Sequence, residues 1–115
     1  MAFTEEEVAM HTRAFELFRE KFGPPPNVRG QLDWGCRIEG QSLELYEIRP
    51  RWNDPARFTH SSFAKATYVK STSKWKIYWR RGNGKWDLYE PKPEADSLEN
   101  FFKILREDAH GCFFG

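Results

Sequence analysis

Leu32, Trp34, Cys36 and Ile38 alternate with Asp33, Gly35, Arg37 and Glu39, and the alternation stops at Gly40-Gln41. A period of two is the signature of a half-buried strand, and a Gly-first dipeptide suits a two-residue hairpin turn in which φ must be positive. The register that follows sets Ile38 opposite Leu43 and Cys36 opposite Leu45 on one face. On the other face it pairs Arg37 with Glu44 and lays Tyr46 over Gly35. Both faces are chemically consistent, so a one-residue slip is disfavoured. The same register carries Glu47 to a place opposite Trp34 on the apolar face, with Arg49 following on that face.

Helices flank this hairpin and the strands after it. Thr4 and Glu7 form a capping box, Phe3 and Val8 stand at staple positions, and Val8, His11, Ala14, Phe15, Phe18 and Phe22 share one helical face. Gly23 and Pro24-Pro25-Pro26 stop that helix, which spans about residues 4–22. Residues 50–62, rich in Pro, Asn, Asp and Ser, read as a loop. The third strand is expected at about 63–70 and the fourth at about 74–81. Asn83-Gly84 marks a second hairpin into a strand near Lys85–Glu90, with Arg80 facing Asp87, Tyr78 facing Tyr89 and Trp79 facing Leu88. Pro91 and Pro93 end the sheet. A last helix begins near Asp96 or Ser97, with Glu99 placed to cap and Leu98, Phe101, Phe102 and Leu105 as its apolar stripe. The expected fold is α+β, an antiparallel five-stranded sheet in α-β-β-β-β-β-α order, as a single domain over residues 1–115. The short tail Cys112-Phe113-Phe114-Gly115 is expected to dock on the core.

Composition narrows the function classes. Lys and Arg number 18 against 17 Asp and Glu, so global charge gives no reason to expect a polyanion or an acidic membrane. Two cysteines are too few for a disulfide scaffold, and no apolar run reads as a signal peptide or a membrane span. A cytoplasmic setting is the expectation. With ten Phe and five Trp, few residues build a large core, and neither a metal nor a cofactor is needed to hold it.

Three constellations bear on function. Glu47 and Arg49 on the apolar face, joined by Lys65 if the third strand turns it the same way, would form a polar site with a tuned carboxylate or lysine, or else a register-fixing ion pair. Asp33 with Glu47-Ile48-Arg49 loosely follows the Asp…Glu-x-Lys pattern of metal-dependent nucleases, but the hairpin puts Asp33 and Glu47 on opposite faces and Arg is a poor base. On the other sheet face, Tyr68, Lys70, Lys74, Lys76, Tyr78, Arg80 and Tyr89 form a basic surface interleaved with aromatics, a pattern suited to single-stranded nucleic acid. The stretch from Lys65 to Trp86 holds Lys and Arg but no Asp or Glu. Trp52, in the Pro50–Pro55 segment, is a further candidate contact. His110, Cys112, Cys36 and His60 lack paired metal-ligand spacing, and Gly82-Asn83-Gly84 is a turn rather than a phosphate loop. The reading is a binding or adaptor domain with a protein or nucleic-acid partner; the alternative is an enzyme using Glu47, Arg49 and Lys65.

Several uncommon strings occur in order along the chain. Among them are Gly23-Pro24-Pro25-Pro26 with Val28-Arg29, Ile38-Glu39-Gly40-Gln41-Ser42, and Glu47-Ile48-Arg49-Pro50-Arg51-Trp52. Ala64-Lys65-Ala66-Thr67-Tyr68-Val69-Lys70, Trp75-Lys76-Ile77-Tyr78-Trp79 and Gly111-Cys112-Phe113-Phe114-Gly115 follow. Together they resemble the small bacterial family catalogued as domain of unknown function 3024, over nearly the whole length. The resemblance implies a stand-alone bacterial protein and assigns no activity, cofactor or site residue.

Overall fold

The computed structural model describes residues 2–108 and Phe113. Helix α1 (Glu5–Phe22) leads into strands β1 (Asp33–Glu39), β2 (Ser42–Arg51), β3 (Asp54–Val69), β4 (Lys74–Arg80), β5 (Trp86–Leu88) and β6 (Glu94–Ala95), and helix α2 (Leu98–Glu107) follows. All strand pairs are antiparallel, in the order β1-β2-β3-β4-β5, and β6 lies on the same side of β4 as β5. Ile77 joins both short strands to β4, accepting from the Tyr89 N–H and donating to the Pro93 carbonyl. The α+β architecture expected from the sequence is the one observed, with β6 as an addition.

The first helix is set by its ends. Thr4 Oγ1 accepts from the Glu7 N–H and the Glu7 carboxylate accepts from the Thr4 N–H, so the capping box is complete. At the other end the Gly23 N–H reaches the Arg19 carbonyl, and a Cβ at Gly23 would stand 2.5 Å from that oxygen. In α2 the cap is Ser97, which accepts from the Asn100 N–H, rather than Glu99.

Both helices lie on one face of the sheet. Leu43, Leu45, Ala64, Ala66 and Ile77 are fully buried beneath Phe15, Phe101 and Leu105. Phe18 stacks on Trp34 at 5.5 Å and on Phe102 at 4.5 Å, tying the two helices to β1. His11 packs edge-on to Phe3 and Trp75, and burial lowers its pKa, as suits a neutral core histidine. Phe113 is buried against Tyr89, so this residue of the tail does dock. His110, Cys112 and Phe114 lie outside the described residues.

The β1–β2 register matches the expectation pair for pair, from Ile38↔Leu43 to Trp34↔Glu47. Three other expectations are corrected. Residues 50–62 are not a loop: β2 and β3 continue as a two-stranded arm, turning at Trp52-Asn53. The arm outruns its neighbours, because β1 pairs only as far as Ile48 and β4 only as far as Ala64. Proline misled here: Pro50 and Pro55 sit on strands that have open edges, where a missing N–H costs no ladder bond.

Second, β3 carries a bulge. Leu45 pairs with Ala64 and Tyr46 with Ser62, leaving Phe63 as the extra residue. The bulge lets both Phe63 and Ala64 enter the core and shifts the alternation by one. Third, the β4–β5 hairpin is closed by Arg81 and Lys85, with a three-residue loop, Gly82 to Gly84. The Gly84 N–H bonds the Arg81 carbonyl and Gly84 takes φ +83°, while Asn83, whose Oδ1 accepts from the Lys85 N–H, keeps negative φ. The longer loop moves the register by one, giving Arg80↔Trp86, Tyr78↔Leu88 and Trp79↔Asp87.

Candidate functional site

These register shifts decide which side chains meet. Glu47 and Arg49 share a face at the root of the arm and form an ion pair of 3.4 Å, with the arginine more than half exposed. Lys65 stands on the opposite face, across from Glu44 and Tyr78. The polar site of Glu47, Arg49 and Lys65 is therefore not assembled. What the sequence placed beside the Trp face is a surface ion pair and a separate lysine.

The basic-aromatic face is rearranged in the same way. Tyr68 pairs with Trp75 and turns into the core beside Phe3, and Tyr89 is 2% exposed against Phe113. Both leave the proposed surface. Tyr78 and Arg80 stay on it, with Lys74 and Lys76. Lys70 follows the end of β3 and is exposed. Carboxylates answer part of this charge: Lys74 pairs with Asp96 at 3.2 Å, Lys76 stands opposite Glu94, and Arg37 reaches Glu44 at 3.9 Å.

In place of the two tyrosines the open face gains residues that the sequence reading did not include. Trp86 arrives through the hairpin shift, and Tyr46 lies flat over Gly35, where a Cβ would meet its ring at 2.6 Å. Beyond the bulge, His60 and Phe58 pair with Ile48 and Pro50 on this same face, and His60 stacks on Tyr46 at 4.8 Å. Trp86 and Tyr78 on β5 and β4, Tyr46 on β2, and His60 and Phe58 on the arm thus share the open face as a row of rings that crosses the sheet and continues onto the arm. Lys65 Nζ sits 5.0 Å from the Tyr78 centroid and 4.8 Å from that of Trp86. Arg80 lies over Trp86 at 5.9 Å, and Arg37 over Tyr46 at 5.6 Å. Neither Lys65 nor Arg80 has an ion pair to a carboxylate among the described residues; rings are their partners.

Trp52 is at the tip of the arm and 94% exposed, with Phe58 at 51% and the flanking Arg49, Arg51 and Arg57 all exposed. A tryptophan left this bare is unusual in a folded domain. The signals for this site were present but scattered: the Tyr46–Gly35 pair was readable, whereas Trp86 required the three-residue loop and His60 and Phe58 required the bulge.

Other chemistries find less support. Among the described residues no group of three His, Cys, Asp or Glu is placed to hold a metal ion. Burial pushes the Cys36 thiol up to about 11, away from a reactive thiolate. No helix of the described residues is long and apolar enough to cross a membrane.

No curated protein and no solved structure matches the chain. The profile of the domain of unknown function DUF3024 matches residues 3–115, nearly its full length and every element described above. The chain belongs to the DUF3024 family.

Proposed function

We propose that this domain is a binding module for single-stranded nucleic acid, acting through the open sheet face and the arm that extends it. The observation that carries the reading is the row of rings on a face no described helix covers, with Lys65 and Arg80 seated on those rings. Bases of any sequence stack on such rings, at about 1–3 kcal/mol each by alanine substitution, while the cations track phosphate. The near-neutral net charge fits a local footprint rather than a polyanion-binding surface spread over the whole molecule. The bacterial, cytoplasmic setting expected from the resemblance and the cysteine content is part of the same proposal.

Labelled single-stranded DNA and RNA oligonucleotides, titrated at low salt and followed by fluorescence anisotropy, test it. Binding should weaken steeply with salt, and Tyr78→Ala with Trp86→Ala should lower affinity at least tenfold. No binding at about 100 μM protein, weaker than ordinary nonspecific association, removes the reading. A protein partner then takes its place, favoured by Trp52, since bare tryptophan and arginine are typical interface anchors.

A further inference from the structure

Where β4 stops at Arg80 and β3 runs on, the sheet leaves a notch of about 320 Å³. Ser61 and Ser62 line one wall, Arg80 and Arg81 the other, and Gly82 and Gly84 of the hairpin loop close the end. We propose that this notch is an oxyanion site that seats a backbone phosphate of the bound strand; the inference deepens the preceding reading and rests on it for the phosphate's carrier.

Four features point to an oxyanion. Among the described residues the lining holds two guanidinium groups and no carboxylate. Arg81 is answered by Asp87 at 3.3 Å, outside the lining, but among the described residues Arg80 has only the Trp86 ring. The Ser62 hydroxyl, on the open face opposite Tyr46, makes no hydrogen bond among the described residues and can donate, while Ser61, opposite Glu47, turns to the other face. At Gly82 an added Cβ would meet nothing within 4 Å, which leaves the loop backbone open to close approach. Arginine forks and hydroxyl donors match the geometry of phosphate oxygens.

Position selects the ligand. The notch lies between the Tyr78–Trp86 end of the aromatic row and His60, which itself lines it. A strand stacking bases on both groups of rings must carry its backbone across this gap. The arginine that stacks on Trp86 therefore also faces the phosphate beside the stacked base.

Two measurements on the full chain separate this inference from the nucleic-acid reading. The first is an amide NMR titration with inorganic phosphate, against sodium chloride at equal ionic strength; saturable shifts confined to Ser61, Ser62, Gly82 and Gly84 are expected. The second is the salt dependence of oligonucleotide binding for Arg80→Gln and Ser62→Ala. Arg80→Gln should reduce the slope of log K against log salt by about 0.7 for a single strand, whereas Ser62→Ala, which removes a neutral donor, should lower affinity at every salt concentration and leave the slope unchanged. The serine variant guards against a disturbance of Trp86 in the arginine variant. Oligonucleotide binding with an unchanged slope in Arg80→Gln, unchanged affinity in Ser62→Ala and no phosphate shifts overturns the notch and leaves the aromatic row standing. Phosphate shifts without oligonucleotide binding overturn the strand as the carrier. The absence of both ends both proposals.

Discussion

Arg19 grips Asp33 with two parallel hydrogen bonds of 2.8 Å, Nε to one carboxylate oxygen and Nη2 to the other. The pair pins the last turn of α1 to the start of β1, and both side chains are about four-fifths buried. The arginine and the Trp34 N–H hold the Asp33 carboxyl below its ordinary range. Arg19→Ala should cost about 2 kcal/mol in urea unfolding, because a charge-assisted bidentate pair is broken and a carboxylate stays half-satisfied. The folded pKa of Asp33 is depressed, so its contribution is whole above the unfolded value of about 3.9 and is lost as pH falls through the folded value. His11, also depressed, adds an earlier loss that begins below about pH 6.5. Unfolding midpoints measured from pH 7 to pH 3 should therefore fall for wild type, and should fall less at the acid end for Arg19→Ala.

Gly84 holds φ +83° at the end of the β4–β5 loop, a conformation that costs a branched residue about 1–2 kcal/mol. Gly84→Val should destabilise the domain by that amount. Asn83→Ser, at a position with ordinary φ, should cost less. Equal loss in the two variants would count against the three-residue loop.

Gly35 has no room for a side chain beneath the Tyr46 ring. Gly35→Val should cost about 1–3 kcal/mol and should tilt Tyr46 away from His60. Aromatic ring shifts of Tyr46 and His60 in NMR spectra would register that displacement, and oligonucleotide affinity should drop with it.

Glu47 illustrates how exposure sets energy. A buried pair with Arg49 would make Glu47→Ala costly, at about 3–5 kcal/mol. The observed pair is at the surface with its arginine 57% exposed, so the variant should change stability by no more than about 0.5 kcal/mol. Trp52→Ala should likewise leave the thermal midpoint unchanged, yet weaken partner binding. A large stability loss in either would mean that the arm packs against something.

Cys36 should resist alkylation. With its thiol pushed up to about 11, only a trace of thiolate exists at pH 8. In a Cys112→Ser background, iodoacetamide should label the native protein far more slowly than the urea-unfolded chain. Fast labelling of the native form would contradict the burial of Cys36.

The sequence made some features legible because local chemistry decides them. The Thr4–Glu7 box, the Gly40 turn and the β1–β2 register are each fixed by residues within a few positions of one another, and each was found as expected. The reading failed where one residue of slack existed. Asn83-Gly84 suits both a two-residue and a three-residue loop, and nothing local excludes the second. Phe63 and Ala64 both seek the core, and only a bulge lets them both in. Each ambiguity is one residue wide, but in a strand one residue reverses the face. One residue of slack therefore carries Tyr68 and Tyr89 into the core, brings Trp86 to the open face and parts Lys65 from Glu47.

The strand order has a kinetic consequence. From β1 to β5 the order in space is the order in the chain, so each of these strands pairs with the one just before it. Loops of two to a few residues close such pairings at little entropic cost, and no distant strand need be awaited. The sheet can zip outward from either tight turn. The late event is then the arrival of α2, whose Phe102 stacks on Phe18 of α1 and whose other apolar residues close over a sheet that already stands.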